Sequence, residues 1–296
     1  MDTTQATQTA DSSRMVESIV MGKQTSDGAG VKLTRVLTHS LQKRLDPFLM
    51  LDVFRSDNPA NWIGGFPDHP HRGFETMTYM IEGRMRHRDN AGHEGLIENG
   101  GVQWMVAGRG IIHSEMPEQQ KGLMQGFQLW INLPSKDKLC EPWYKDIQSN
   151  QLPEFSLENG IIIRIIAGSI LDKKGAVQRG VTHPLILDLH LPTGSIFSHS
   201  IPGGYNAFSF VYQGEILAGS DKRRILSDQM VIWNTPQSDA EIVIEASQNS
   251  RVLLIAGSPL NEPIVQYGPF VMNTQQEIFQ AMEDFKAGNF TNKPKS

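Results

Sequence analysis

The apolar residues of this chain occur in short runs that glycine, proline, asparagine and aspartate interrupt at close intervals. Runs of this kind in the first half are VKLTRVL, TMTYMI, VQWMVA and GFQLWINL. Short runs separated by turn-forming residues are typical of β-strands, and a long series of such strands favours a sandwich or a barrel. The sequence therefore predicts an all-β protein.

The second half repeats this texture after a segment rich in proline and charge, SKDKLCEPWYKDIQSNQLPE. A weak internal repeat links the halves, because TMTYMIEGRM resembles FSFVYQGEIL and each is an alternating strand that ends at a glycine turn. The 296 residues suffice for two domains with separate cores. We expect a disordered tail over residues 1–14, one barrel over 15–140 and a second over 141–296, joined through the charged segment.

One helix is predicted, close to the end of the chain. Thr274 and Glu277 have the spacing of a capping box, in which each side chain caps the backbone of the other. Ile278, Met282 and Phe285 then lie on one face until a glycine ends the helix. We interpret this helix as structural closure against a barrel.

The composition constrains the cellular compartment and the kinds of partner that we expect. With one cysteine, Cys140, no intramolecular disulfide can form, and this favours the cytoplasm, or the nucleus in a eukaryote, over a secreted protein. No stretch approaches the roughly 20 apolar residues of a membrane span. A net charge of -5 argues against direct contact with nucleic acid and leaves protein partners open.

Two pairs of metal-ligand residue types have the same spacing. His69 and His71 are two residues apart, and so are His113 and Glu115. On extended strands both members of a pair project from one face, so two strands would bring four side chains to one point. Pro70 donates no ladder hydrogen bond and predicts that its strand lies at an edge.

Each pair by itself is a weak signal, because surface or hydrogen-bonded histidines are common. The two pairs together leave a metal site and ordinary polar histidines as open alternatives. The other histidines have no partner at comparable spacing and are interpreted as surface or core polar groups: His39, His87, His93, His183, His190 and His199.

The residues around these pairs resemble a known family. H-x-H-x(3)-E-x(7)-G from His69 to Gly83, followed by G-x-G-x(2)-H from Gly108 to His113, resembles the paired motifs of cupins, which are small β-barrels. The segments LDPFLMLDVF, GGFPDHPHRGFETMTYMIEG, QWMVAGRGIIHSEMP, FQLWINL and YGPFVMNTQQEI closely resemble pirins, and the similarity runs from about residue 15 to 290. The resemblance implies two jelly-roll-type cupin barrels, packed as a bicupin with a short C-terminal helix.

The pirin resemblance also implies a ligand set. In pirins the N-terminal cupin binds one iron ion through three histidines and a glutamate, which here match His69, His71, His113 and Glu115. Glu75 belongs to the general cupin motif but is expected outside the ligand set. The matched stretches of the second half contain no histidine at these positions, so the C-terminal cupin is expected to bind no metal.

Two functions follow from the resemblance. The first is quercetin 2,3-dioxygenase activity, in which O2 opens the ring of a flavonol with release of CO and Glu115 accepts the proton of the flavonol hydroxyl. Fe(II) fits the nitrogen-rich, partly open ligand set, although other divalent metals can occupy it in a given preparation. The alternative is a non-enzymatic, redox-sensing protein that regulates a transcription factor or a metabolic enzyme by protein contact.

Four neighbours of the motif are candidates for shaping a pocket. Arg72 would face away from His71 on a regular strand, so a surface salt bridge is an equal alternative to an anion contact. Trp104 and Met77 are expected in the barrel core, and Phe66 is the fourth candidate.

Overall fold

A computed structural model describes residues 13–291 and consists mainly of short strands, which confirms the predicted all-β class. The strands of the first part are β1 (Val16–Met21), β2 (Lys23–Asp27), β3 (Val31–Leu37), β4 (Phe48–Ser56), β5 (Phe66–His71), β6 (Phe74–Glu82), β7 (Met85–Asp89), β8 (Glu94–Ile97), β9 (Val102–Val106), β10 (Ile111–Pro117), β11 (Met124–Asn132), β12 (Trp143–Ile147) and β13 (Glu154–Ser156).

The strands of the second part are β14 (Ile162–Ala167), β15 (Ser169–Ile170), β16 (Lys173–Lys174), β17 (Leu185–Leu191), β18 (Ile196–Ile201), β19 (Asn206–Gln213), β20 (Glu215–Ala218), β21 (Arg223–Leu226), β22 (Gln229–Trp233), β23 (Ala240–Ala246), β24 (Ser250–Gly257), β25 (Val265–Tyr267) and β26 (Phe270–Met272). The described helices are α1 (Gln275–Lys286) and the 3-10 turns His39–Leu41, Pro59–Asn61, Ser135–Asp137 and Ser149–Gln151. No helix in residues 13–291 has both the length and the apolar content that a membrane span requires.

Two antiparallel sandwiches make up the fold, as the bicupin prediction requires. In the first, a seven-stranded sheet with the order β12-β9-β6-β11-β4-β3-β2 faces a four-stranded sheet with the order β5-β10-β7-β8. In the second, the seven-stranded order is β1-β22-β19-β24-β17-β14-β13 and the four-stranded order is β18-β23-β20-β21. Each half thus combines a seven-stranded sheet with a four-stranded sheet, and this repeated architecture explains the weak internal repeat of the sequence.

Each predicted domain contributes one strand to the barrel of the other. β1 pairs with β22 in the second barrel, although it precedes every strand of the first. β12 pairs with β9 in the first barrel, so the charged segment predicted as a linker contains a strand of the first sheet. The halves are therefore tied by exchanged strands, which a boundary drawn from composition does not show.

The largest hydrophobic cluster is shared by both barrels. Phe127 of the first seven-stranded sheet packs edge-on against Phe210 and Tyr212 of the second, with ring centroids 6.0 and 5.3 Å apart. The same cluster contains a polar centre, because the buried Asp188 accepts hydrogen bonds from the Tyr79 hydroxyl at 2.6 Å and the Tyr212 hydroxyl at 2.5 Å. The two large sheets thus form one continuous core.

The two ends of the described chain bear on two predictions, the capping box of the helix and the N-terminal tail. The Thr274 hydroxyl accepts from the backbone N–H of Glu277, and the reciprocal bond completes the predicted capping box. Of the tail predicted over residues 1–14, residues 1–12 lie outside the described part. Arg14 is fully buried and donates to the carbonyls of Pro202, Tyr205 and Asn234, so the tail prediction is wrong at this residue.

Replacement of Tyr79 by phenylalanine tests the polar centre of the shared core. The Tyr79→Phe variant should lose about 1–3 kcal/mol of unfolding free energy, because Asp188 would stay buried with one donor fewer. Urea denaturation followed by tryptophan fluorescence measures the loss. Tyr267→Phe is the matched control, since the Tyr267 side chain is exposed, and equal stability of the two variants would contradict a structural role for the Asp188 contacts.

Candidate metal centre

Strands β5 and β10 carry the four predicted ligands on the smaller sheet of the first barrel. They are antiparallel neighbours, and His69 lies directly opposite His113. β5 is the edge strand of this sheet, as Pro70 predicted. The pairing shifts between His113 and Glu115, so Glu115 lies opposite Phe66 and the four residues do not form two facing pairs.

Three imidazoles converge at this point. The ring of His69 has its centroid 4.7 Å from that of His71 and 4.4 Å from that of His113, and the His71 and His113 centroids are 5.0 Å apart. One ring nitrogen from each histidine lies within 4.8 Å of those of the other two. The same-face argument from the sequence therefore places these three residues correctly.

The nitrogen geometry fits a shared metal ion. The Nε2 atoms of His69 and His71 are 3.0 Å apart. Two nitrogens bound at about 2.1 Å and at right angles to each other lie about 3.0 Å apart. The Nε2 atom of His113 is buried and has no hydrogen-bond partner among the described residues, as expected of a nitrogen that would bind an ion.

Glu115 is close to the histidines but is held by other side chains. Its Oε1 accepts from the Thr78 hydroxyl at 3.0 Å, and its Oε2 accepts from the Gln128 amide at 2.9 Å. The carboxylate is outside the group of three ligand atoms that lie within 4.8 Å of one another. Glu115 nevertheless lines the same cavity as His69 and His71, so its place in the ligand set stays a prediction.

Burial keeps two of the histidines neutral. The pKa of His71 is well below the ordinary value because of burial, with smaller contributions from His113 and His69. Burial also sets the pKa of His113 well below its ordinary value, with contributions from His69 and His87. Neutral imidazole is the form that binds a divalent ion, so the pocket preserves the ligand-competent state.

The Glu75 side chain lies on the face of β6 opposite to Thr78 and makes a different set of contacts. In β6, Thr78 points toward Glu115, while Glu75 is an odd number of residues away and faces the other side of the sheet. There the Glu75 carboxylate accepts from the Trp104 indole N–H at 2.6 Å and pairs with Arg179 at 2.6 Å. Glu75 therefore joins the two halves of the chain.

A cavity of about 380 Å³ opens at His69 and His71. Its apolar walls include Met50, Phe54 and Trp130, and Phe66 also lines it. Gln266, Gly268 and Pro269, which lie in or between β25 and β26, complete the wall. This hairpin follows the second barrel in the chain but covers the cavity of the first, a contribution that no local sequence signal revealed.

The remaining candidates have structural contacts. Arg72 is buried rather than on the surface: it pairs with Asp284 of α1 at 2.7 Å and donates to the Phe290 carbonyl at 2.9 Å. The salt-bridge alternative for Arg72 is therefore confirmed, but its place on the surface is wrong. Trp104 and Met77 are fully buried in the shared core, as predicted.

Several of the other histidines pair with carboxylates, in agreement with their interpretation as ordinary polar groups. The ring nitrogens of His87, His93 and His190 lie 2.7, 2.9 and 3.1 Å from carboxylate oxygens of Asp146, Asp89 and Asp188, respectively. These three histidines are thus engaged within the protein.

The fold and the site define a two-barrel cupin protein with one histidine-rich centre in its first barrel. The sequence model of the family described as Pirin matches residues 30–131, and that of the Pirin C-terminal cupin domain matches residues 186–291. The chain belongs to the pirin family.

Relatives and a solved structure extend this similarity over nearly the whole chain. A pirin-like protein of Caulobacter vibrioides is 45% identical, covering 94% of this chain and 99% of its own length. Human pirin is 40% identical, with 93% of each chain covered. A crystal structure of quercetin 2,3-dioxygenase from Acinetobacter baumannii has a TM-score of 0.87 and 33% identity, and it covers 94% of this chain and 98% of its own.

Acidification should destabilise the metal-free protein. Because the pKa values of His71 and His113 are lowered on folding, the unfolded chain takes up protons below about pH 6.5 that the folded chain does not. The unfolding free energy should therefore begin to fall as the pH drops toward about 6.5 and should keep falling below it, less steeply in His113→Gln. Urea titrations of both proteins measure the difference, and parallel pH profiles would contradict the assigned direction.

Proposed function

We propose that this pirin binds Fe(II) at His69, His71, His113 and Glu115 and acts as a quercetin 2,3-dioxygenase on a flavonol or a similar planar substrate. O2 would open the ring and CO would be released. The observation that carries the proposal is the convergence of three imidazoles, two of which line a cavity that has the Glu115 carboxylate on its wall. The similarity to the Acinetobacter baumannii quercetin 2,3-dioxygenase supports it.

The donor set suits an open, redox-active ion. Three neutral imidazoles and one carboxylate leave positions free in an octahedral ion for oxygen atoms of the substrate and O2. When bound, such an ion polarises the oxygens of a chelating substrate and provides one-electron chemistry with O2. Glu115 completes this set in the proposal, because it lines the cavity beside His69 and His71.

Glu115 also has the contacts of a proton acceptor. Thr78 and Gln128 donate one hydrogen bond each to its two oxygens and fix the plane of the carboxylate. A carboxylate held in this way can take the proton of a substrate hydroxyl without reorienting during the reaction. Thr78 and Gln128 therefore act as positioning residues for Glu115.

The apolar walls orient a flat substrate and exclude water. Phe54 and Trp130 are buried and line the cavity, so a planar ring system would contact them in place of solvent. The cavity volume of about 380 Å³ falls in the range of about 300–1,000 Å³ that is common for small-molecule sites.

The location of the protein is also a proposal. We infer a cytoplasmic protein from the single, unpaired Cys140 and from the acidic composition.

Loss of one histidine should abolish metal binding and turnover together. His71→Ala should retain less than about a tenth of the bound iron, because only two imidazoles would remain. Metal analysis and aerobic bleaching of quercetin with CO detection measure the two properties. His93→Ala is the matched control, since His93 pairs with Asp89 outside the three-histidine group.

The outcomes separate the two functions. Iron binding with CO release that depends on His71 supports the dioxygenase. Iron binding without turnover above that of metal-free protein would contradict it and would favour the non-enzymatic regulator.

Removal of the Glu115 charge tests its role as proton acceptor. Glu115→Gln should lower turnover about 10²–10⁴-fold, the usual contribution of a general base, while the three histidines still hold iron. Steady-state rates and metal content of the same preparation provide the comparison. Unchanged turnover at full iron occupancy would exclude Glu115 as the base.

A further inference from the structure

One transverse row of polar side chains crosses the large sheet of the first barrel and ends at the metal centre. Arg35 of β3 lies opposite Asp52 of β4, and Asp52 lies opposite Gln128 of β11. Gln128 in turn lies opposite Thr78 of β6. Gln128 and Thr78 hold Glu115, so the row runs from Arg35 at one end to the site of the proposed reaction at the other.

All members of this row line the same cavity, and apolar side chains border the row on both sides. Met50 and Phe54 are two residues before and after Asp52 in β4, so they share its face of the sheet. Trp130 has the same relation to Gln128 in β11, and Leu33 to Arg35 in β3. The cavity is therefore a slot with a polar stripe between apolar walls.

Arg35 is fixed in place but retains an unused donor. Its Nε donates to Oδ1 of Asp52 at 2.8 Å, and its Nη2 donates to Oδ2 of Asp52 at 2.7 Å. Nη2 also reaches Asp27 at 3.2 Å. The structure shows no partner for Nη1 of Arg35 among residues 13–291. The side chain is 32% exposed, whereas that of Asp52 is 5% exposed.

Burial of the Asp52 carboxylate costs free energy unless another group pairs with it. A buried Asp requires a partner, and Arg35 supplies it in a two-pronged contact that sets the plane of the guanidinium. An aliphatic pair at these positions would extend the apolar walls without this cost. The pair instead presents a fixed guanidinium N–H donor to the cavity, with the remaining nitrogen free for a ligand oxygen, while Asp52 and Asp27 balance its charge.

We propose that Arg35 is a specificity-determining residue that binds an oxygen function at the end of the substrate remote from the metal. The substrate class is a planar aromatic molecule with chelating oxygens at one end and a phenolic hydroxyl at the other. The proposal rests on the proposed function for the orientation of the substrate, and Asp52 acts as the residue that positions Arg35.

Two flavonols separate this role from general binding. Quercetin carries distal hydroxyl groups, whereas 3-hydroxyflavone has the same chelating oxygens and none of the distal hydroxyls. A hydrogen bond from a charged donor is worth about tenfold or more in affinity. Metal-loaded wild-type protein, titrated anaerobically, should therefore bind quercetin about tenfold or more tighter than 3-hydroxyflavone.

The variants should change the ratio of the two affinities rather than binding as a whole. Arg35→Met should reduce the preference for quercetin to within about twofold, and Arg35→Lys should retain part of it. Because Arg35→Met leaves Asp52 unpaired, the double variant Arg35→Met/Asp52→Asn should show the same loss without a buried charge. Arg224→Met is the matched control, since Arg224 pairs with Glu215 on the surface of the second barrel.

The outcomes distinguish this proposal from the dioxygenase itself. An equal affinity of wild-type protein for both flavonols, or an unchanged ratio in Arg35→Met and in the double variant, would overturn the role of Arg35 even if turnover is observed. A tenfold preference that depends on Arg35 supports it even if no CO is released, and in that case only the dioxygenase proposal fails.

Discussion

The antiparallel pairing of β5 with β10 is the constraint on which the candidate metal centre depends. It places His69 opposite His113, and the two-residue spacing within β5 adds His71 on the same face. The irregularity after His113 then displaces Glu115 from the histidine group toward Thr78 and Gln128. This pairing therefore brings three imidazoles together and leaves the Glu115 carboxylate beside them, held by Thr78 and Gln128.

The second barrel contributes to this site without containing it. Its sheet packs on the first sheet through a shared core, and the buried Asp188 ties tyrosines of both barrels together. Beyond the second barrel, the β25–β26 hairpin returns to cover the cavity, and α1 is anchored through the pair of Asp284 with Arg72 next to β5. The loss of either half would open the cavity, so the two barrels work as one unit.

Local patterns predicted the parts of the structure that depend on near neighbours in the chain. The alternation of β5 and β10 predicted that His69, His71 and His113 lie close together, and the Thr274–Glu277 spacing predicted the helix cap. The strand exchange, the row from Arg35 to Thr78 and the covering hairpin depend on pairings between distant segments. One sequence does not reveal the register in which distant strands pair. A shift of that register by one residue turns every side chain of a strand to the other face.

X-ray absorption spectroscopy of the Fe(II)-loaded protein tests the central claim most directly, because it reports the ligands of the ion itself. We predict scattering from three imidazoles with iron–nitrogen distances of about 2.0–2.1 Å, and additional oxygen ligands when quercetin is added without O2. Fewer than three imidazoles, or a spectrum that quercetin does not change, would contradict an open three-histidine centre that binds the substrate.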